Sequence, residues 1–171
     1  MSQEHIIGIE FLCFVALVIM IRLAELWVAK RNEKWLKGQG AIEFGKKHYP
    51  YIVALHTLFI LAIIIEFVFQ PAHQFYPVFF LIFVLLVLGK VWVIASLGRY
   101  WNTKILRVPS SAFVKKGPYK YFKHPNYFIV VCELAVIPMV FGLYWTAIVF
   151  TLLNGVMLSI RIREEERVWK E

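Results

Sequence analysis

Long apolar runs separated by short polar stretches dominate the chain. A helix that spans a bilayer needs about 20 mostly apolar residues. Runs of that kind lie at Ile6–Val28, Tyr51–Phe69, Phe75–Leu97 and Leu143–Ile162, with a shorter one at Tyr127–Phe141. Only Gly142 and its neighbours, after Pro138, separate the short run from the last. That junction allows a tight helical hairpin; the alternative is one long bent span with a re-entrant segment. Because Leu143–Ile162 is long enough to cross by itself, the hairpin is preferred. The pattern predicts an all-α integral membrane protein with five transmembrane helices. It forms one domain over 1–171, with three N-terminal spans in 1–97 and a polar loop, the hairpin and a charged terminal helix in 98–171. No internal repeat is visible.

Composition agrees. The chain is 60% hydrophobic with a mean hydropathy of +0.66, where soluble domains run at about 45–50% apolar. The net charge of +8 reads as basic loops on the cytoplasmic side and implies no nucleic-acid partner. The loop Ala29–Pro50 carries six lysines and arginines, Gln70–Gln74 carries none, and Gly98–Asn126 carries seven. The tail adds Arg161, Arg163, Arg167 and Lys170. This alternation puts the N-terminus outside and both long loops and the C-terminus in the cytoplasm, most simply across the plasma membrane. The first run has no basic n-region before it and no small-residue cleavage site after it, and reads as a retained span. Cys13 and Cys132 lie in apolar runs with no metal or redox spacing and read as small packing residues.

Ionisable residues inside spans are costly and usually face a bundle interior or an aqueous cavity. At 1.5 Å per residue, Glu133 lies roughly 9 Å, Asn154 roughly 10 Å and Lys90 roughly 12 Å from the basic boundary. Three helices thus offer polar groups at one level, as an inward-opening tunnel requires. The plainer reading is a structural ion pair, such as Lys90 with Glu133. Arg22 and Glu25 read as a local pair one turn apart, and His56 as a helix–helix hydrogen bond.

Two stretches carry most of the chemistry. In "KKGPYKYFKHPNYFIVVCEL", Lys115–Leu134, Gly117-Pro118 makes a turn and His124-Pro125 a second break, with Pro125 suited to a first helical turn. A pre-shaped loop with exposed N–H groups at a helix N-terminus suits an anion or a cofactor carboxylate, and the aromatic faces between the two turns suit an adenine ring or a sulfonium cation. An interfacial belt of aromatic and basic anchors is the bland account; it gives no reason for both prolines. In "SIRIREEERVWKE", Ser159–Glu171, Arg161 and Glu165 share a helix face four residues apart. That is either a self-paired charged end or a guanidinium clamp for a substrate anion.

Together the stretches resemble the isoprenylcysteine carboxyl methyltransferase family, whose pattern is Gly-Pro-Tyr-Arg, Arg-His-Pro-x-Tyr, a hairpin, then Arg followed by Glu-Glu. Here the matching segments are "GPYKYFKHPNY" at Gly117–Tyr127 and "RIREEER" at Arg161–Arg167. "LGRYWNTKI" at Leu97–Ile105 and "GAIEFGKKHYPYIVALH" at Gly40–His56 look like the bacterial branch. Lys120 and Lys123 stand where the pattern has arginine, keeping charge without the bidentate fork.

The resemblance implies methyl transfer from S-adenosyl-L-methionine to a carboxylate or acidic hydroxyl of a lipophilic acceptor that arrives from the bilayer. The acceptor would be prenylcysteine-like, or a small long-chain acid, enol or phenol such as an alkylpyrone. The active site would face the cytoplasm. The resemblance also assigns His124, Pro125 and Tyr127, with Tyr119 and Glu166, to the cofactor, and Arg161 and Glu165 to catalysis. Lys90, Glu133 and Asn154 would line the acceptor tunnel. No metal is implied. The competing reading is a non-enzymatic membrane protein that holds anionic lipids on its basic loops. A small transporter using Lys90 and Glu133 lacks the expected inverted repeats.

Overall fold

The computed structural model describes residues 3–109 and 115–170. Five helices form the bundle: α1 (Gln3–Gly38), α2 (Tyr49–Phe69), α3 (Pro77–Leu97), α4 (Pro125–Met139) and α5 (Tyr144–Lys170). α1, α2, α3 and α5 are long and apolar enough to cross a membrane, and α4 is a shorter apolar helix. Glu171, which closes the charged tail, lies outside the described residues.

α1, at 36 residues, is about 54 Å long, well beyond the roughly 30 Å of a hydrocarbon core. Its surplus turns rise from the basic end of the bundle and brace the loops there. Asn32 Nδ2 donates to the carbonyls of Gly98 (3.1 Å) and Trp101 (2.8 Å), and Asn102 Nδ2 donates to the Ala29 carbonyl (2.8 Å). The carbonyls beyond the end of α3 thus gain side-chain donors, as a helix terminus favours. A short antiparallel ladder then ties β1 (Ile42–Phe44) to β2 (Ile105–Arg107), pairing Glu43 with Leu106. No strand is expected from the hydropathy pattern. Lys104 Nζ bridges Glu33 (2.8 Å) and Glu43 (3.4 Å) across this joint.

The core lies toward the opposite end and is rich in phenylalanine. Leu55, Phe59, Ile63 and Phe67 form one stripe of α2 at four-residue spacing and are buried against Phe11, Phe14, Phe83 and Phe141. Lipid tails are as apolar as these side chains, so close packing and polar links, rather than escape from water, hold such helices together.

α4 starts on Pro125, whose missing N–H is harmless in a first turn. Its 15 residues give about 22 Å, too little to span alone. The turn after it is covered by protein: Val140, Phe141 and Leu143 are all buried. Non-helical backbone at membrane depth needs that cover. Gly142 has φ +68°, and a Cβ there would stand 3.1 Å from the Tyr76 ring. The Tyr76 N–H donates to the Val140 carbonyl at 2.8 Å. Glu66 of α2 accepts from the Trp145 (3.0 Å) and Thr146 (2.7 Å) N–H groups and caps α5. The hairpin expected around Gly142 is therefore present, pinned at its tip to α2 and the loop before α3.

Candidate active site

The basic end contains a cavity of about 630 Å³, inside the usual 300–1,000 Å³ range of small-molecule sites. Its walls are the loop after α3, the turn around Tyr119, the start of α4 and the charged part of α5. The turn Gly117–Lys120 is seated closely. Gly117 has φ +52°, and a Cβ there would overlap the Ser96 hydroxyl and approach Trp92 Nε1 to 3.2 Å. Only glycine lets the turn lie flat on α3. Tyr119 then packs beside Trp101 and Ile129. Burial, with the Glu165 carboxylate as a second cause, holds the Tyr119 phenol above its usual ionisation range, so it is a neutral donor.

Tyr119, His124, Tyr127, Arg161, Glu165 and Glu166 all line this cavity. Pro125 does not; it is buried and sets the start of α4. The His124 and Tyr127 rings stack, with centroids 5.3 Å apart. Tyr127 is the hub. Its hydroxyl accepts from Arg161 Nε (2.8 Å) and donates to Glu165 Oε2 (2.6 Å). Arg161 and Glu165, four residues apart, are thus joined through a tyrosine from another helix. Arg161 Nη2 donates to the Thr103 carbonyl (2.6 Å). The guanidinium is held on two sides, and its Nη1 has no partner among the described residues. Glu166 meets Lys123 at 2.5 Å on the exposed rim.

A second cavity of about 360 Å³ lies below the first. It is lined mainly by apolar side chains, including Leu23 and Leu26 of α1 and Val53 and Leu61 of α2. Those four are exposed, so the cavity opens sideways at lipid level between α1 and α2. Trp101, Asn102, Asn126, Tyr127 and Arg161 line both cavities. The two spaces therefore meet at the Arg161–Tyr127 pair.

Lys90 and Asn154 line the lower cavity, and Glu133 does not. Glu133 is buried behind the wall, where it accepts from Lys90 and from Arg22 Nη2 (2.9 Å). Arg22 also reaches Glu25 (2.9 Å), and Glu25 reaches Lys90 (2.9 Å). Each cation faces both carboxylates, so α1, α3 and α4 are joined by a neutral ring of charges. Breaking such a ring is costly because it strands an unpaired charge. Arg22 and Glu25 are thus more than a local pair. Sequence reasoning missed Trp101 and Asn102 as lining residues; the polar "WNTK" after α3 was the available signal.

The profile described as "Isoprenylcysteine carboxyl methyltransferase (ICMT) family" matches residues 78–171. The chain belongs to the isoprenylcysteine carboxyl methyltransferase family. The matched region begins at α3 and contains the upper cavity, the hairpin and the charged helix, the parts that a family of membrane methyltransferases shares. The Bacillus subtilis (strain 168) protein "Uncharacterized protein YpbQ" is 44% identical over 94% of this chain and 97% of its own length. A Haemophilus influenzae "Uncharacterized protein" is 32% identical over 94% of this chain and 92% of its own. No solved structure matches significantly. Family membership and four apolar helices of spanning length make this a methyltransferase-family protein of the membrane.

Proposed function

We propose that the protein transfers a methyl group from S-adenosyl-L-methionine to an acidic oxygen, carboxylate or enol/phenol, of a lipophilic acceptor. One observation carries this reading: a cavity of cofactor size at the basic end and a mainly apolar cavity that opens among exposed apolar side chains share a wall at Arg161 and Tyr127. Two reactants of opposite solubility would meet there and nowhere else among the described residues.

The upper cavity fits the cofactor. Trp101 Nε1, His124 Nε2 and Asn126 Oδ1 are buried and have no hydrogen-bond partner among the described residues, and all three residues line that cavity. Buried polar atoms left unpaired cost stability, so a ligand with donors and acceptors suits them. Glu165 offers charge to a sulfonium, and Lys104, Lys115 and Arg107 line the side where a carboxylate would sit. When bound, the cofactor would supply an electrophilic methyl group that the acceptor oxygen takes in line, with S-adenosylhomocysteine leaving as the neutral thioether.

The chain's own residues would then align and exclude water. Arg161, fixed by Tyr127 and Thr103, would hold the acceptor's anionic oxygen with its unpaired Nη1. Tyr127 and Glu165 act as positioning groups for that guanidinium. An acceptor already ionised near neutral pH needs no general base. The charge alternation of the loops supports a cytoplasmic upper cavity in a plasma-membrane protein.

The test uses the full chain in lipid nanodiscs. Titration calorimetry should detect S-adenosyl-L-methionine binding, and a methyl-tritiated cofactor should label material extractable from host membrane lipids. His124→Ala and Tyr127→Ala should weaken cofactor binding while leaving the fold intact. Absence of cofactor binding to the parent protein overturns the reading.

A further inference from the structure

The lower cavity has two polar levels. Its upper end is the Arg161–Tyr127 junction. Its middle is apolar, with Ile52, Val130, Met157 and Leu158. Its far level is polar again, with His56, Asn154 and Arg22 beside Glu25 and Lys90, before apolar lining resumes at Ile19, Ile60 and Leu61. A tunnel for a plain hydrocarbon tail has no use for that second polar level, since each polar group there is expensive in a membrane protein.

The far-end groups are poised for a ligand. Asn154 is 3% exposed, and its Nδ2 is buried with no partner among the described residues. His56 Nδ1 lies 2.9 Å from the Ile52 carbonyl. A carbonyl only accepts, so Nδ1 carries the proton, and Nε2 of the neutral ring is an acceptor. Arg22 keeps its side chain 20% exposed although two of its nitrogens serve the charge ring. The charge ring beside them is neutral as a whole. His56 Nε2 can accept, as can Glu25 Oε1, which touches Lys90 but has no hydrogen bond among the described residues, and Asn154 and Arg22 can donate; beside a ring neutral as a whole, that mix suits an uncharged hydroxyl or carbonyl better than an ion. Asn154 is seven residues from Arg161 on α5, a separation of about 10 Å.

We propose that His56, Asn154 and Arg22 form a second polar subsite that binds a neutral oxygen function of the acceptor, about 10 Å from the oxygen held at Arg161. The inference rests on the acidic-acceptor reading above and narrows it. The acceptor is an amphiphile with two polar groups, an acidic one at the junction and a hydroxyl or carbonyl at the far end. Its remaining alkyl chain leaves sideways between α1 and α2. Such a molecule satisfies the far-end donors that an unsubstituted acid would strand.

The experiment measures binding rather than turnover. The protein in nanodiscs, saturated with S-adenosylhomocysteine, is titrated with three radiolabelled probes. These are hexadecanoic acid, its derivative with a mid-chain hydroxyl, and the isomer with the hydroxyl beside the carboxyl. The mid-chain isomer should bind about tenfold tighter than the other two, the worth of one or two well-placed hydrogen bonds. Asn154→Leu and His56→Phe should each abolish most of that preference, with hexadecanoic acid binding at least as tightly as to the parent because the polar group it strands is gone. Equal binding of all three acids, or a preference that survives both substitutions, overturns the subsite alone. Failure of every acid to bind overturns the acidic-acceptor reading, and the subsite with it.

Discussion

Replacing Arg161 by lysine separates a charge from a geometry. Arg161 is buried at 8% exposure and uses Nε on the Tyr127 hydroxyl (2.8 Å) and Nη2 on the Thr103 carbonyl (2.6 Å). Lysine brings one nitrogen to the same space. It can serve Thr103 or Tyr127, but it cannot serve both and also present a fixed donor to an acceptor. Tyr127 keeps Glu165 as a partner (2.6 Å), so the orphaned group is one carbonyl. That costs roughly 1–3 kcal/mol of stability, which lowers the melting temperature without unfolding the bundle. The catalytic loss is larger, because a misaimed charged donor in a closed site removes on the order of 10²–10³ of rate. The assay pairs methyl-tritium transfer with calorimetric cofactor titration on one preparation. Transfer should fall by about 10² or more, with cofactor affinity within threefold or so of the parent. Turnover near the parent's would mean that the guanidinium only decorates the end of α5 and that the acceptor sits elsewhere.

Three further outcomes follow from the geometry. Gly117→Ala should cost about 1–2 kcal/mol for the left-handed backbone, plus the overlap with Ser96. It should also weaken cofactor binding; adding Ser96→Ala should recover part of both, and no change in the single variant would contradict the docked turn. Lys90→Met leaves two carboxylates facing Arg22 alone and should destabilise by about 3–5 kcal/mol. The double change Lys90→Met with Glu133→Leu, which leaves the Arg22–Glu25 pair, should melt close to the parent; equal melting of single and parent would show that the ring carries no stability. For orientation, cysteines introduced at Gln39 and Lys116 in a background lacking Cys13 and Cys132 should react only with membrane-permeant reagents, and one at His73 with impermeant ones; external labelling at Lys116 would reverse the assignment.

Much of this protein is local, and its sequence shows it. Span number follows from apolar run length, because bilayer thickness is a ruler that any helix meets by itself. The short fourth helix and its tight turn follow from Pro125, Pro138 and Gly142, which act on their own backbone. Tyr119, His124, Tyr127, Arg161, Glu165 and Glu166 were legible as a set because their spacing follows a family pattern, and the fold does gather them around one cavity.

The inward faces were not legible. In water a helix shows its core side by apolar periodicity, but helices surrounded by lipid are apolar on every side. Nothing in the sequence therefore said that Lys90 and Asn154 would line a cavity while Glu133, at the same depth, would be sealed behind it. Nor could spacing along α5 show that Tyr127 of α4 would stand between Arg161 and Glu165. The β1–β2 joint and the Asn32 bonds to the loop after α3 link residues more than sixty positions apart. Such contacts depend on where the overlong end of α1 stands beside α3. Only the packed bundle sets that position, and it also decides which polar groups become a site and which become a brace.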